Sequence, residues 1–180
     1  MNLQWISILL GAVALAGGLV GLFRPELIKH FAQLFPRSVI PAWVLTAACC
    51  VLGAREALGM NMGFLNAYKG FVYILAPLVF FASVTYMKEL LAPRALGGFL
   101  LLIAVPIINV AKLSGKPMFQ VVVALIYIWI IYGIVLLMSP WWFRKFYKPF
   151  LENAALFKTA ALSKTAAGAA LILLGILAYA

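Results

Sequence analysis

The residues of this chain that could carry out chemistry are few, and the charged pair Arg55 and Glu56 in VLGAREALGMNMG is the strongest candidate. The pair lies near the end of the second apolar stretch, and a charge at mid-bilayer costs about 2.5–3.5 kcal/mol on insertion scales. Such a group usually faces a partner or a water-filled cavity, so Glu56 is a candidate proton or cation site with Arg55 beside it. The alternative is that the second span reaches the membrane surface here and leaves both charges in water.

Asn109 and Pro106 lie close together in the fourth apolar stretch, and Pro77 lies in the third. Proline frees a backbone carbonyl inside the membrane, and broken helices coordinate ions in transporters. We therefore add Asn109 to Arg55 and Glu56 as a possible ion or proton site. Proline kinks are also ordinary packing features, and Glu56 has no second acidic residue at similar depth.

Catalysis and metal binding find little support among the remaining residues. His30 is the single histidine, and the sequence has no nucleophile elbow, P-loop, HExxH motif or paired carboxylates. The adjacent Cys49 and Cys50 have no metal-ligand spacing, and we interpret them as small apolar packing residues. We therefore predict a protein that is not an enzyme and that has no catalytic residues, metal or cofactor.

The composition identifies the solvent in which the chain must fold. Of the 180 residues 67% are apolar and 10% are charged, whereas a soluble domain is about a quarter charged, so a water-soluble fold is excluded. The net charge is +10, and the charged residues lie between the apolar stretches. This placement indicates contacts with anionic lipid headgroups and not with nucleic acid. We predict one all-α integral membrane domain over residues 1–180.

Bilayer thickness requires about 17–25 residues for each spanning helix, and the gaps between charged residues provide six. The predicted spans cover about 3–23, 39–60, 70–88, 95–111, 118–139 and 160–180. The first stretch lacks the basic start and the cleavage site of a signal peptide, so we expect it to be retained.

Two connectors are predicted to be amphipathic helices that lie in the membrane surface, over about 25–37 and 141–155. The second combines aromatic rings with basic side chains, a mixture that suits the headgroup layer. The residues expected to contact headgroups are Trp141, Trp142, Arg144, Lys145 and Lys148.

The distribution of Lys and Arg predicts the orientation. The connectors after spans one, three and five, together with the start of the last helix, carry ten basic residues, and the opposite side carries four. Because basic loops stay in the cytoplasm, we predict that both termini lie outside. Short loops and a topology directed by charge are typical of a bacterial cytoplasmic (inner) membrane.

The chain also contains a possible internal repeat, in which GLVGLFRPELIKHF (18–31) aligns with GIVLLMSPWWFRKF (133–146). Four spans separate the copies, so both cross the membrane in the same direction and the repeat is parallel. The alternative is that two similar turns from span to surface arose independently. The connectors suggest three hairpins, formed by spans one and two, three and four, and five and six.

Small residues recur on one face of the first span, at Ala14, Gly17, Gly18 and Gly21. Their spacing permits close approach of a second helix, where dispersion drives association in lipid. Whether that helix belongs to this chain or to a partner is left open by the sequence.

These features favour a non-enzymatic membrane subunit that scaffolds, anchors or assists assembly of a larger membrane complex. Its expected partners are membrane lipids, with anionic headgroups on the cytoplasmic side, and other subunits or further copies of itself. The alternative is a small transporter or channel for an ion, lipid or apolar solute. An enzyme that acts on lipid is a third, weaker hypothesis, because no catalytic constellation supports it.

Overall fold

A computed structural model describes residues 2–61, 63–87 and 90–179. Lys88 and Glu89, which belong to the predicted third connector, lie outside the described residues, as does Ala180 of the predicted last span.

Within these ranges the chain is all-helical. The helices are α1 (Leu3–Phe23), α2 (Pro25–Leu34), α3 (Val39–Gly59), α4 (Val72–Tyr86), α5 (Leu91–Leu113), α6 (Phe119–Met138), α7 (Trp142–Glu152) and α8 (Ala154–Leu177). Two 3-10 helices, Phe35–Arg37 and Gly63–Phe71, precede α3 and α4. Six helices are long and apolar enough to cross a membrane, and the third of these runs from Asn66 to Tyr86. The structure thus confirms that the chain has six helices with the length and composition to span a membrane.

The ends of the helices follow local backbone chemistry more closely than charge. Pro25 occupies the first turn of α2, where a missing N–H costs nothing, and so separates α2 from α1. Asn153 caps α8, because its side-chain oxygen accepts hydrogen bonds from the amides of Ala155 and Leu156 at 2.9 and 3.3 Å. The last long helix therefore begins at Ala154 and not near 160, and the preceding helix ends at Glu152 and not at 155.

The fourth and third spans also differ from their predicted limits. Helix α5 extends over Leu91–Leu113 and includes Arg94 and Lys112, which bounded the predicted span of 95–111. Charged side chains in terminal turns reach outward without ending the helix. In α4 the predicted start at 70 falls inside the 3-10 helix Gly63–Phe71.

The six long helices do not pack as three hairpins in chain order. Helix α1 packs along its length on α8, α5 packs on α6 and on α3, and α3 packs on α4. The hairpin prediction is therefore wrong as a description of packing. The physical reason for this packing is that α1 and α8 present glycines to each other. These glycines let the two helices approach more closely than α1 could approach a helix with bulky side chains.

Two apolar clusters lie at opposite ends of the molecule. One joins Phe35, Leu91, Leu136 and Phe143, and so gathers the connectors after α1 and α6 with the start of α5. We call this the basic end, because it carries Arg24, Lys29, Arg37, Arg94, Arg144, Lys145 and Lys148.

The opposite cluster joins both chain ends to the α5–α6 connection. Leu3 and Tyr179 pack with Ala111 and Val122, and the Tyr179 hydroxyl donates to the Met118 carbonyl at 2.9 Å. The described residues close to the two termini thus lie at the same end, opposite the basic end.

Candidate functional site

The predicted ion-site residues lie on two helices, Arg55 and Glu56 on α3 and Asn109 on α5. Arg55 is exposed and Glu56 is half-buried, and both lie in the last two turns of α3, which ends at Gly59. Asn109 is exposed on α5. Among the described residues, neither Arg55 nor Glu56 forms an ion pair, and no group of three or more His, Cys, Asp or Glu side chains gathers.

The two prolines expected to break spans lie inside continuous helices. Helix α4 runs through Pro77, and α5 runs through Pro106. Each proline removes one backbone hydrogen bond, yet the rest of the helix retains its own, as is common for membrane helices. The interruption predicted at these positions is therefore absent from the described helices, and the ion-site interpretation loses that support.

The small residues of α1 lie where α8 approaches. A Cβ built on Gly18 would meet the Thr165 backbone at 2.8 Å, and one built on Gly21 would lie 3.3 Å from the Ala161 Cβ. Gly17 lies beside the Lys164 ammonium group, and Ala14 is half-buried. This face of α1 is therefore occupied by a helix of the same chain.

Sequence reasoning missed the other half of this contact. Gly168 of α8 lies against Gly11 of α1 so closely that a Cβ on Gly168 would come within 2.5 Å of the Leu15 amide nitrogen. The buried Ser7 hydroxyl donates to the Leu171 carbonyl at 2.7 Å and so ties the same two helices together. The i, i+7 spacing of Gly11 and Gly18, and of Gly168 and Gly175, was the available signal.

A groove lies open along α3 and α4. Its volume is about 340 Å³. Its walls are Thr46, Cys49, Cys50, Gly53, Ala54, Ala57, Val72, Leu75, Ala76, Val79 and Ser83. Helix α4 has no buried residue and packs mainly on α3, so one side of this groove depends on a single helix contact.

A second opening joins this groove toward the basic end. It has a volume of about 440 Å³, shares Thr46, Cys49 and Ser83 with the first, and is lined by Arg94. The Cys49 thiol donates to the Ala95 carbonyl at 3.3 Å, so this cysteine contributes to the contact between α3 and α5.

A cleft between the two short helices α2 and α7 contains the strongest concentration of charge. Its volume is about 400 Å³, and Arg37, Arg144 and Lys148 line it. Its other walls are Ala32, Gln33, Pro36, Phe143, Tyr147, Leu151 and Glu152. Arg37 comes from the 3-10 helix after α2, and sequence reasoning did not include it among the headgroup contacts.

The predicted headgroup residues divide between two faces of α7. The Lys145 ammonium lies 5.3 Å from the ring centre of Trp141 and 4.7 Å from that of Trp142, within the range of a cation–π contact. Arg144 and Lys148 instead face the cleft. One short helix therefore holds Lys145 against two tryptophan rings on one side and presents Arg144 and Lys148 to the cleft on the other.

The fold and these surfaces define a class: a multi-pass, all-helical membrane protein with short connectors. No protein-family model matches the chain, and no curated protein or solved structure is similar to it.

Proposed function

We propose that this chain is a non-enzymatic membrane subunit that scaffolds, anchors or assists assembly of a larger membrane complex. The observation that carries this proposal is the open small-residue groove between α3 and α4. Cys49, Gly53 and Ala57 follow one another at intervals of four residues on its α3 wall. This spacing allows the backbone of another membrane helix to approach closely.

Gly53 distinguishes this face from the contacts inside the molecule. Gly11, Gly97 and Gly168 each leave less than 3.0 Å between a built Cβ and the facing helix, whereas a Cβ on Gly53 meets nothing within 4 Å. Glycine inside a helix costs about 0.5–1 kcal/mol relative to alanine. Because no contact within the described chain uses this glycine, a partner helix in the groove supplies the reason for it.

The polar groups that are buried also support a packing role. The buried Ser7 hydroxyl donates to the Leu171 carbonyl of another helix, and the buried Thr46 hydroxyl donates to the Ala42 carbonyl within α3. The Ser7 hydrogen bond therefore joins α1 to α8, as a packing role requires. The proposed site for another subunit therefore lies on the outside of the helices, at the groove.

The remaining features of this proposal concern placement. We propose a bacterial cytoplasmic membrane, with the basic end in the cytoplasm, both termini outside, and α2 and α7 in the membrane surface. The exposed apolar side chains Leu27, Phe31 and Leu34 of α2 support a surface position. The parallel repeat is also part of the proposal, and Gly18 and Gly133, which align in it, are both buried.

The test is to extract the protein gently from native membranes and identify what co-migrates with it on native gels. We expect wild-type chain to migrate with other membrane proteins, and Gly53→Leu combined with Ala57→Leu to reduce that co-migration by about tenfold. Ala167→Leu is the matched control, because Ala167 is an exposed small residue on α8, away from the groove. Circular dichroism of all three proteins should be the same.

A wild-type chain that migrates alone as a monomer would contradict the proposal. Migration as a homo-oligomer would instead favour the alternative, a small transporter or channel for an ion, lipid or apolar solute. The observation that favours that alternative is the pair of connected grooves with Arg94 at one end, which offers an apolar path beside a cation.

A further inference from the structure

We propose that the cleft between α2 and α7 is a binding site for the phosphate of an anionic phospholipid in the leaflet at the basic end. This inference goes beyond the subunit function and does not depend on the α3–α4 groove. It is also more specific than a basic surface that attracts anionic lipid in general, because it assigns one cleft and names the cations that face it.

The charges of the cleft match an anionic group. Arg37, Arg144 and Lys148 line it from two different helices, and Glu152 is the acidic residue among the lining side chains. The Glu152 carboxylate lies 3.8 Å from the Lys148 ammonium, so the charges of this pair largely cancel each other. The net positive charge of the cleft then comes from the two arginines. A guanidinium presents a planar fork of donors that suits two oxygens of one phosphate.

The arginines are held on a packed base. Phe35, which begins the 3-10 helix after α2, lies with its ring centre 5.4 Å from that of Phe143, and the ring centre of Phe143 lies 4.7 Å from that of Tyr147. Phe35 and Phe143 are both buried. Because Arg37 and Arg144 each lie within two residues of these rings, the distance between the two backbones is fixed before a ligand arrives.

The surroundings favour a lipid over a soluble phosphate. Helix α2 exposes Phe31 and Leu34, α7 exposes Phe146, and Trp141 is exposed directly before α7. Apolar and aromatic side chains of this kind suit the boundary between headgroups and acyl chains. A cleft of about 400 Å³ also leaves room beyond one phosphate for the glycerol and ester groups of a lipid.

The two faces of α7 supply a matched control. Lys145 carries the same charge as Lys148 and lies next to Arg144 in sequence, but its ammonium lies over Trp141 and Trp142. Loss of Lys145 lowers the net charge of α7 as much as loss of Arg144 does. A discrete site at the cleft therefore predicts unequal effects, whereas diffuse attraction predicts equal ones.

The experiment is native mass spectrometry of the full chain in detergent, titrated with phosphatidylglycerol or with phosphatidylcholine of the same acyl chains. We expect tighter binding of phosphatidylglycerol. Arg37→Gln combined with Arg144→Gln should weaken that binding by about tenfold or more, since each basic residue near a membrane surface contributes on the order of a few-fold in affinity. Lys145→Gln, which removes a predicted headgroup contact outside the cleft, should weaken binding by less than Arg144→Gln does, and phosphatidylcholine binding should not change.

Several results would overturn the proposal. These are unchanged phosphatidylglycerol binding in the double variant, a loss in Lys145→Gln as large as that in Arg144→Gln, or full displacement of the lipid by millimolar inorganic phosphate, which would identify a soluble ligand. If the double variant does not fold, Arg37→Gln and Arg144→Gln tested singly should each weaken binding by about threefold. Wild-type affinity in both single variants would also overturn the proposal.

Discussion

At the scale of single residues, glycines determine where helices of this chain meet. The contact between α1 and α8 depends on Gly11 and Gly168, and the contact between α5 and α6 on Gly97 and Gly133. Sequence reasoning found the small residues of α1 from their spacing. It missed the facing residues on α8, whose spacing at Gly168 and Gly175 indicates a close-packing face but does not say which other helix lies opposite.

We predict that steric fit outweighs hydrogen bonding at this contact. Ser7→Ala removes one interhelical hydrogen bond and should lower the free energy of unfolding by about 0.6 kcal/mol, the average for such bonds in membranes. Gly168→Ala places a Cβ 2.5 Å from the Leu15 amide nitrogen and 2.8 Å from the Gly11 carbonyl oxygen. Because backbone must shift to relieve this, the expected loss is about 1–3 kcal/mol.

Unfolding in detergent and denaturant mixtures, followed by circular dichroism, measures both changes. Gly53→Ala makes the same chemical change in a helix where the new Cβ has open space. Its stability should stay the same or rise by about 0.5–1 kcal/mol, because glycine disfavours a helix. A larger loss in Ser7→Ala than in Gly168→Ala would contradict this order of effects.

At the scale of helices, hydropathy and charge gaps predict which segments cross the membrane, and these rules found six. They predict the ends of α1, α3 and α6 within one residue but not those of α5, since Arg94 and Lys112 are accommodated inside its terminal turns. They also do not predict neighbours. Each of the six long helices is apolar on most sides, so no amphipathic stripe marks the face that meets another helix.

We therefore predict that α1 can be cross-linked to α8 more readily than to α3. In a chain with Cys49→Ala and Cys50→Ala, cysteines introduced by Gly21→Cys and Ala161→Cys should form a disulfide under mild oxidation. The Cβ positions of these two residues lie 3.3 Å apart, close to the separation of about 3.5–4.5 Å in disulfides. Gel mobility with and without reductant measures the yield.

The control pairs Gly21→Cys with a cysteine at Ile40, Trp43 or Val44, all exposed near the start of α3. If spans one and two packed as a hairpin, one of these pairs would cross-link at least as well. An efficient disulfide between the cysteine at position 21 and one on α3, with none to position 161, would contradict this prediction and support the packing of spans one and two as a hairpin.

At the scale of the whole molecule, the sequence predicts that most basic residues lie on one side, and the fold brings many of them together at the basic end. The basic connectors after α1 and α6 and the start of α5 meet in one apolar cluster. Arg55, Lys69 and Lys112 lie in or beside helix ends that point to the other side. What the sequence could not predict is that this convergence also builds a cleft, since Arg37 and Arg144 are more than one hundred residues apart in the chain.

The concentration of charge leads to a prediction of orientation, because basic connectors are retained in the cytoplasm. In a chain with Cys49→Ala and Cys50→Ala, a membrane-impermeant maleimide should label Asn61→Cys in intact cells. Glu26→Cys, with a side chain 87% exposed, should be labelled only after the membrane is opened. Both substituted residues lie in exposed positions at opposite ends, so burial does not account for a difference.

Labelling of Glu26→Cys in intact cells, with Asn61→Cys protected, would reverse the orientation. The α2–α7 cleft would then face the outer leaflet, and its phospholipid would have to come from there.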